Sequence, residues 1–210
     1  MQLLYVMDPM CGWCYGFQPE LERFLNSYPT AKVDWVMGGL APDTTEPMPE
    51  SLRQTISSYW YQIEEKSEVS FNHDFWALNT PYRSTYLACR AVITAERLKQ
   101  GRSADMAKAI QSAYYQQAKN PSLEETLVAC AASIELDQTQ FQEGLTSKET
   151  EANFQQHLAI SQQFQVTGFP ALFYINEEKL VYPLALGFCK AEDMERRMSD
   201  LLSQDRSDYL

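Results

Sequence analysis

The 210-residue chain is poor in several things, each of which would have named a function. It carries 17 Lys+Arg against 28 Asp+Glu, a formal net charge of −11, so it lacks the basic footprint that nucleic acid or an anionic membrane surface requires. No stretch approaches the roughly 20 apolar residues that span a bilayer. Histidine is scarce: His73 and His157 stand alone. With a single C-x-x-C beside them, no four-ligand zinc set is expected and no metal is assigned. The start is equally bare. Met1-Gln2 leads straight into Leu3-Leu4-Tyr5-Val6-Met7, without a basic n-region, a long apolar h-region or a small-residue cleavage site, and a cytoplasmic location is expected from it.

What is present is a core. At 45% hydrophobic and 12% aromatic, the composition is that of an ordinary globular domain, which excludes disorder and disulfide-stapled miniature folds. The length suits one domain carrying a large insertion. Five cysteines in a reducing compartment are read as mostly reduced. Two of them, Cys11 and Cys14, form a C-x-x-C, while Cys89, Cys130 and Cys189 are singletons. That asymmetry is the main clue.

Leu3–Met7 is a short apolar run, as expected for a strand buried on both faces. Cys14, Phe17, Leu21, Phe24, Leu25 and Tyr28 then recur at helical spacing, with Pro29 at the end. Val33, Trp35 and Met37 alternate and run into Gly38-Gly39, so the first forty residues read as a βαβ unit. From 41 to 148 the pattern becomes helical. The part up to Trp76 is aromatic and hard to parse, and a deeply buried helix is expected over 84–100. Ser122 with Glu125 reads as a capping box opening another helix, and Asp137 with Gln140 as the cap of a shorter one. A helix bearing Phe154, Leu158 and Phe164 leads to Gly168-Phe169-Pro170. A hairpin over 171–186 follows, with Pro183 placing its second strand at a sheet edge. The last helix carries Met194, Met198, Leu201 and Leu202, and a frayed tail is expected from Ser203.

Taking 1–40 and 149–210 together, with 41–148 as a helical insertion, leaves βαβαββα, the order of a thioredoxin fold. In that fold two cysteines at i and i+3 share one face of the first helical turn. The first sulfur sits over unpaired N–H groups, where negative charge is stabilised and the attacking thiolate is favoured. Cys11 is thus the expected nucleophile and Cys14, one turn deeper, the resolving thiol. Gly168, Phe169 and Pro170 are where such a fold puts a cis-proline loop beside the cysteines, leaving the backbone before the proline free to pair with an extended substrate. Trp13, between the cysteines, is expected to form an apolar contact surface with Met10 and Phe169.

The run Asp8-Pro9-Met10-Cys11-Gly12-Trp13-Cys14-Tyr15-Gly16-Phe17, the insertion and the Gly168-Phe169-Pro170 loop resemble the DsbA-like branch of the thioredoxin superfamily. Within that branch the CGWC motif looks most like the FrnE-type, predicted protein-disulfide-isomerase group. The resemblance covers essentially the whole chain. It implies thiol–disulfide exchange of reductase or isomerase type through a redox-active Cys11–Cys14 disulfide, with no bound cofactor and with Phe169 and Pro170 in the substrate site. Pro19 matches the helix-kinking proline of thioredoxins. Two departures stand out. No histidine separates the cysteines, so no cation supports the thiolate. The position six residues before the first cysteine, often a buried acid, is Tyr5. Asp8, three residues before it, either caps the turn or accepts the proton of Cys14, and the cap is the favoured reading.

The remaining features read as structural. Cys89 and Cys130 fit small buried hydrophobes, and His157 a helix flank; Cys189 reads as a core or cap position, with a thiol activated near the N-terminus of the last helix as the alternative. Tyr59, Trp60, Tyr61, Phe75 and Trp76 read as core of the insertion, with the lining of a substrate groove as the alternative. Substrates are expected to be disulfide-containing proteins or small-molecule thiols, with glutathione as a co-substrate. The insertion reads as a gate over the cysteines or as the surface of a homodimer. Two alternatives compete: a glutathione-dependent isomerase or transferase resembling the kappa class or 2-hydroxychromene-2-carboxylate isomerase, and a non-catalytic, redox-responsive binding module.

Overall fold

The computed structural model describes residues 1–207. Its centre is a four-stranded sheet in the order β2-β1-β3-β4, built from β1 (Gln2–Met7), β2 (Lys32–Met37), β3 (Ala171–Ile175) and β4 (Val181–Leu186). β1 and β2 are parallel, with Tyr5 opposite Trp35, because α1 (Gly12–Ser27) makes the crossover that parallel neighbours need. β3 runs antiparallel to both β1 and β4. Pro183 lies on β4, the edge strand, as expected, opposite Phe173 beside an irregularity in the register.

The apolar β1 is sandwiched. Leu3, Tyr5 and Met7 face the larger core, shared with Phe17, Leu21 and Phe24 of α1 and with Met194 and Met198 of α9 (Ala191–Ser207). Leu4 and Val6 face a smaller one, where Ile160 of α8 (Lys148–Gln163) packs with Phe164, Val166 and Phe173. Ser147 accepts from Thr150 N at the start of α8, a side-chain cap of the usual kind. α9 continues four residues past Ser203, so the fraying expected from that point is corrected up to Ser207; 208–210 lie outside the described residues.

Between β2 and α8 lie α2 (Glu50–Lys66), α3 (Phe75–Leu78), α4 (Tyr86–Leu98), α5 (Ser103–Gln111), a π-helical turn over Ser112–Gln116, α6 (Glu124–Ser133) and α7 (Gln138–Leu145). The segment that resisted parsing is therefore α2 and α3. α4 is the deeply buried helix, with Ala88, Cys89 and Ala91–Ala95 all inaccessible. Asp137 caps α7 through Gln140 N, as expected. The capping box is not there. α6 starts after Leu123 with no side-chain cap, because the Ser122 hydroxyl instead donates to Ser84 O at 2.8 Å, a partner 38 residues away. Among the described residues no helix is long and apolar enough to cross a membrane.

Candidate active site

The site forms where β1 turns into α1. Cys11 N–H donates to Asp8 O at 3.0 Å and Met10 N–H to Asp8 Oδ1 at 2.8 Å, so Asp8 ties the turn as the favoured reading had it. Cys11 is the N-cap residue of α1, with extended backbone and no side-chain cap bond. The first-turn N–H groups therefore keep their positive end for whatever charge develops there. Its Sγ lies 3.8 Å from Phe169 O, the carbonyl preceding Pro170, and the Phe169–Pro170 bond is cis. Cys11 and Cys14 are both free thiols.

Cys14 is completely buried. Burial pushes its thiol well above the ordinary range, and Cys11 adds to that; a hydrogen bond from the backbone of Asp8 pulls it partly back. Tyr5 is buried beside Cys14, and burial together with the nearby cysteines lifts its phenol well above the usual value. The tyrosine that stands in the acid's position is thus the polar neighbour of the resolving sulfur.

Asp8 does more than cap. Its Oδ2 accepts from Leu40 N at 2.7 Å, Thr85 Oγ1 at 2.6 Å and Cys89 Sγ at 3.3 Å. Burial raises this carboxyl, and those donors hold the rise in check. Cys89, read from sequence as a small hydrophobe, is corrected accordingly: it is buried but polar in its contact, its thiol pushed up by burial and then by the charge of Asp8. Cys130 is buried in the apolar core, as expected.

Over Cys11 opens a cavity of about 320 Å³. Met10, Cys11, Trp13 and Phe169 line it together, while its far wall is the α2 stripe Leu52, Ile56, Tyr59, Trp60 and Ile63, joined by Arg83 and Tyr114. Trp13 is half-buried against Phe188, ring centroids 6.0 Å apart, with Lys66 Nζ 5.8 Å from its ring. Gly168 is exposed and Pro170 buried, and neither lines the cavity. The insertion aromatics divide: Trp60 and Phe75 are core, whereas Tyr59 and Tyr61 are exposed, and Tyr59 and Trp60 both wall the cavity. The helical spacing of 52, 56, 59 and 63 was available in the sequence; that this stripe would face Cys11 was not.

Three further side chains take unexpected partners. His157 is no idle flank residue: Nδ1 accepts from Met37 N at 3.1 Å, and burial lowers its imidazole. Cys189 is half-buried beside Arg197, 3.9 Å from Sγ; burial raises the thiol and Arg197 partly offsets it. Glu20 is buried under α9, bonded to Lys190 Nζ at 2.9 Å and Ala191 N at 3.0 Å. Burial alone would raise it, but those donors and Arg23 hold it below its usual value.

Residues 4–191 match the thioredoxin family. The chain belongs to that family. Among solved structures, a candidate protein disulfide isomerase from Nitrosomonas europaea superposes with a TM-score of 0.86 at 24% identity, covering 97% of this chain and 98% of that one. The cytosolic disulfide reductase DsbM from Pseudomonas aeruginosa does so with a TM-score of 0.79 at 23% identity, covering 98% and 99%, and has also been solved with glutathione. At such identities the likeness is one of fold. A curated relative, the ClpXP adapter protein SpxH of Halalkalibacterium halodurans, is 20% identical over 84% of this chain. The match spans 59% of that relative's length.

Proposed function

We propose that this thioredoxin-family protein is a thiol–disulfide oxidoreductase in which Cys11 attacks and Cys14 resolves. One observation carries the reading: Cys11 stands at an uncapped helix N-terminus, 3.8 Å from the Phe169 carbonyl, with a second free thiol one turn deeper. The Cys11 thiolate attacks one sulfur of a substrate disulfide. A mixed disulfide forms and the other substrate sulfur leaves as thiolate. Cys14 then attacks Cys11 Sγ, closing the Cys11–Cys14 disulfide and releasing the second substrate thiol, so two electrons pass from enzyme to substrate. Because burial keeps Cys14 protonated, it must lose its proton at that step. We assign the buried Tyr5 hydroxyl beside it to stabilising the sulfur as it does so. Asp8, occupied by four donors, serves as the strut of the turn rather than as the proton acceptor.

Met10, Trp13 and Phe169 form the contact surface for substrate, with Gly168 and Pro170 shaping the loop that carries the Phe169 carbonyl. Two thiols of glutathione suit the recycling of the Cys11–Cys14 disulfide, a role consistent with the glutathione found with the fold relative, and a cytoplasmic reductase fits best. Residues 41–148 act as the subdomain that walls the substrate cavity. The test is equilibration in glutathione buffers of known ratio, followed through tryptophan fluorescence. A reversible two-electron transition at about −250 mV or lower means a reductase, and one at about −180 mV or higher an isomerase or oxidant. Absence of any such transition overturns the proposal.

The SpxH match supports a second reading, an adapter that docks a protein partner through the same cavity. Partners retained by the Cys11→Ser/Cys14→Ser protein favour it; partners trapped only by Cys14→Ser return the case to catalysis.

A further inference from the structure

Arg83 is out of keeping with its surroundings. The protein is strongly acidic, yet none of the cavity-lining residues is acidic, and Arg83 is the one that carries a charge. Other half-buried arginines are paired: Arg53 with Glu50, Arg90 with Asp43 and Glu151, Arg102 with Asp105. Arg83 is also half-buried, but among the described residues it pairs with no carboxylate and makes no hydrogen bond. Beside it lies Tyr114, whose phenol burial raises and the charge of Arg83 holds back, and whose hydroxyl makes no hydrogen bond among the described residues. A guanidinium presents a rigid fork suited to a carboxylate, and partial removal from water strengthens that preference. A second cation, Lys66, sits at the rim over Trp13.

Resting on the exchange reaction proposed above, we propose that Arg83 selects the substrate: a peptide disulfide whose cysteine is flanked by an apolar side chain and a carboxylate. The apolar side chain enters between Met10, Trp13 and the α2 stripe, the carboxylate meets Arg83 and Tyr114, and the extended backbone runs along Phe169 O. The electron transfer is that of the exchange itself; Arg83 holds the substrate carboxylate and takes no part in bond making.

The test is a single-turnover reaction of the fully reduced protein with two disulfide-linked peptides, identical except that Glu in one is Gln in the other beside a Leu-Cys pair. Each rate is divided by the peptide's own rate with free dithiothreitol, which removes intrinsic reactivity. The expected result is a Glu:Gln rate ratio of about ten or more, falling to within twofold of one in Arg83→Gln, recovering in part in Arg83→Lys, and shrinking in high salt. A ratio near one in the unaltered protein overturns the proposal. So does a ratio that survives in Arg83→Gln, or a preference shown by glutathione disulfide but by neither peptide. Failure of the exchange reading looks different: neither peptide then reacts faster than with free dithiothreitol, and Cys11→Ser changes nothing.

Discussion

The two sides of the Cys11–Cys14 turn are built on opposite plans. Below it the protein is closed and polar: Tyr5 is buried beside Cys14, and the buried Asp8 accepts from the buried Thr85 and Cys89. Above it the protein is open and apolar, a cavity walled by α2 with one unpaired cation. The floor comes from β1 and α4, and it fixes the sulfurs. The roof comes from α2 and the segment before α4. On the function proposed above, the groups that hold the sulfurs and those that meet the substrate are largely different, with Thr85 belonging to both.

The largest effect that divides floor from roof is loss of the nucleophile. Cys11→Ser should lower exchange by about a thousandfold or more, while Cys14→Ser should still react and accumulate the mixed disulfide, visible as a mass increase on intact protein. Next comes Asp8→Ala. It leaves the buried Met10 N and the half-buried Leu40 N without their carboxylate and takes one partner from the Thr85 hydroxyl, and a stability loss of about 2–4 kcal/mol in urea unfolding is expected. An equally large loss from Arg83→Gln would mean the roof is as structural as the floor.

Gly38→Ala probes the boundary between the two. A Cβ there would fall 2.0 Å from the Phe169 ring, so the ring must move, and exchange should slow about tenfold with the urea midpoint changing little. Tyr5→Phe should alter the pH dependence of the resolving step while leaving the first attack intact. The smallest effect lies away from the site. Burial lowers His157, and its neutral Nδ1 holds Met37 N. The stability this gives is present above the unfolded value of about 6.5 and is lost as pH falls through the lowered folded value. Between pH 7.5 and 5.5 the urea midpoint should drop more for the native protein than for His157→Gln.

The sheet, the cysteine helix and the proline loop were legible because their signals are local: apolar runs, three-and-four spacing, and a C-x-x-C followed by the right order of elements. Ser122 shows where that fails, since its hydroxyl prefers a carbonyl 38 residues off over the N–H three residues on. Cys89 fails in the same way, its apolar helical context concealing Asp8 across 81 residues. Arg83 gave no signal at all, because an unpaired arginine is recognised only after every carboxylate has been located.

The C-x-x-C run carries glycines at 12 and 16, one helical turn apart. A Cβ at either would meet Ile63, at 2.9 Å and 2.6 Å, so α2 lies close against α1 because two methyl groups are missing. Ile63 also belongs to the cavity wall. The helix that carries the cysteines and the wall of the cavity therefore share a bearing surface rather than a flexible joint. A lineage can repaint the outward side chains of α2 for a new client without re-aligning the sulfurs, whereas thickening that bearing by a single carbon would throw both out of true at once.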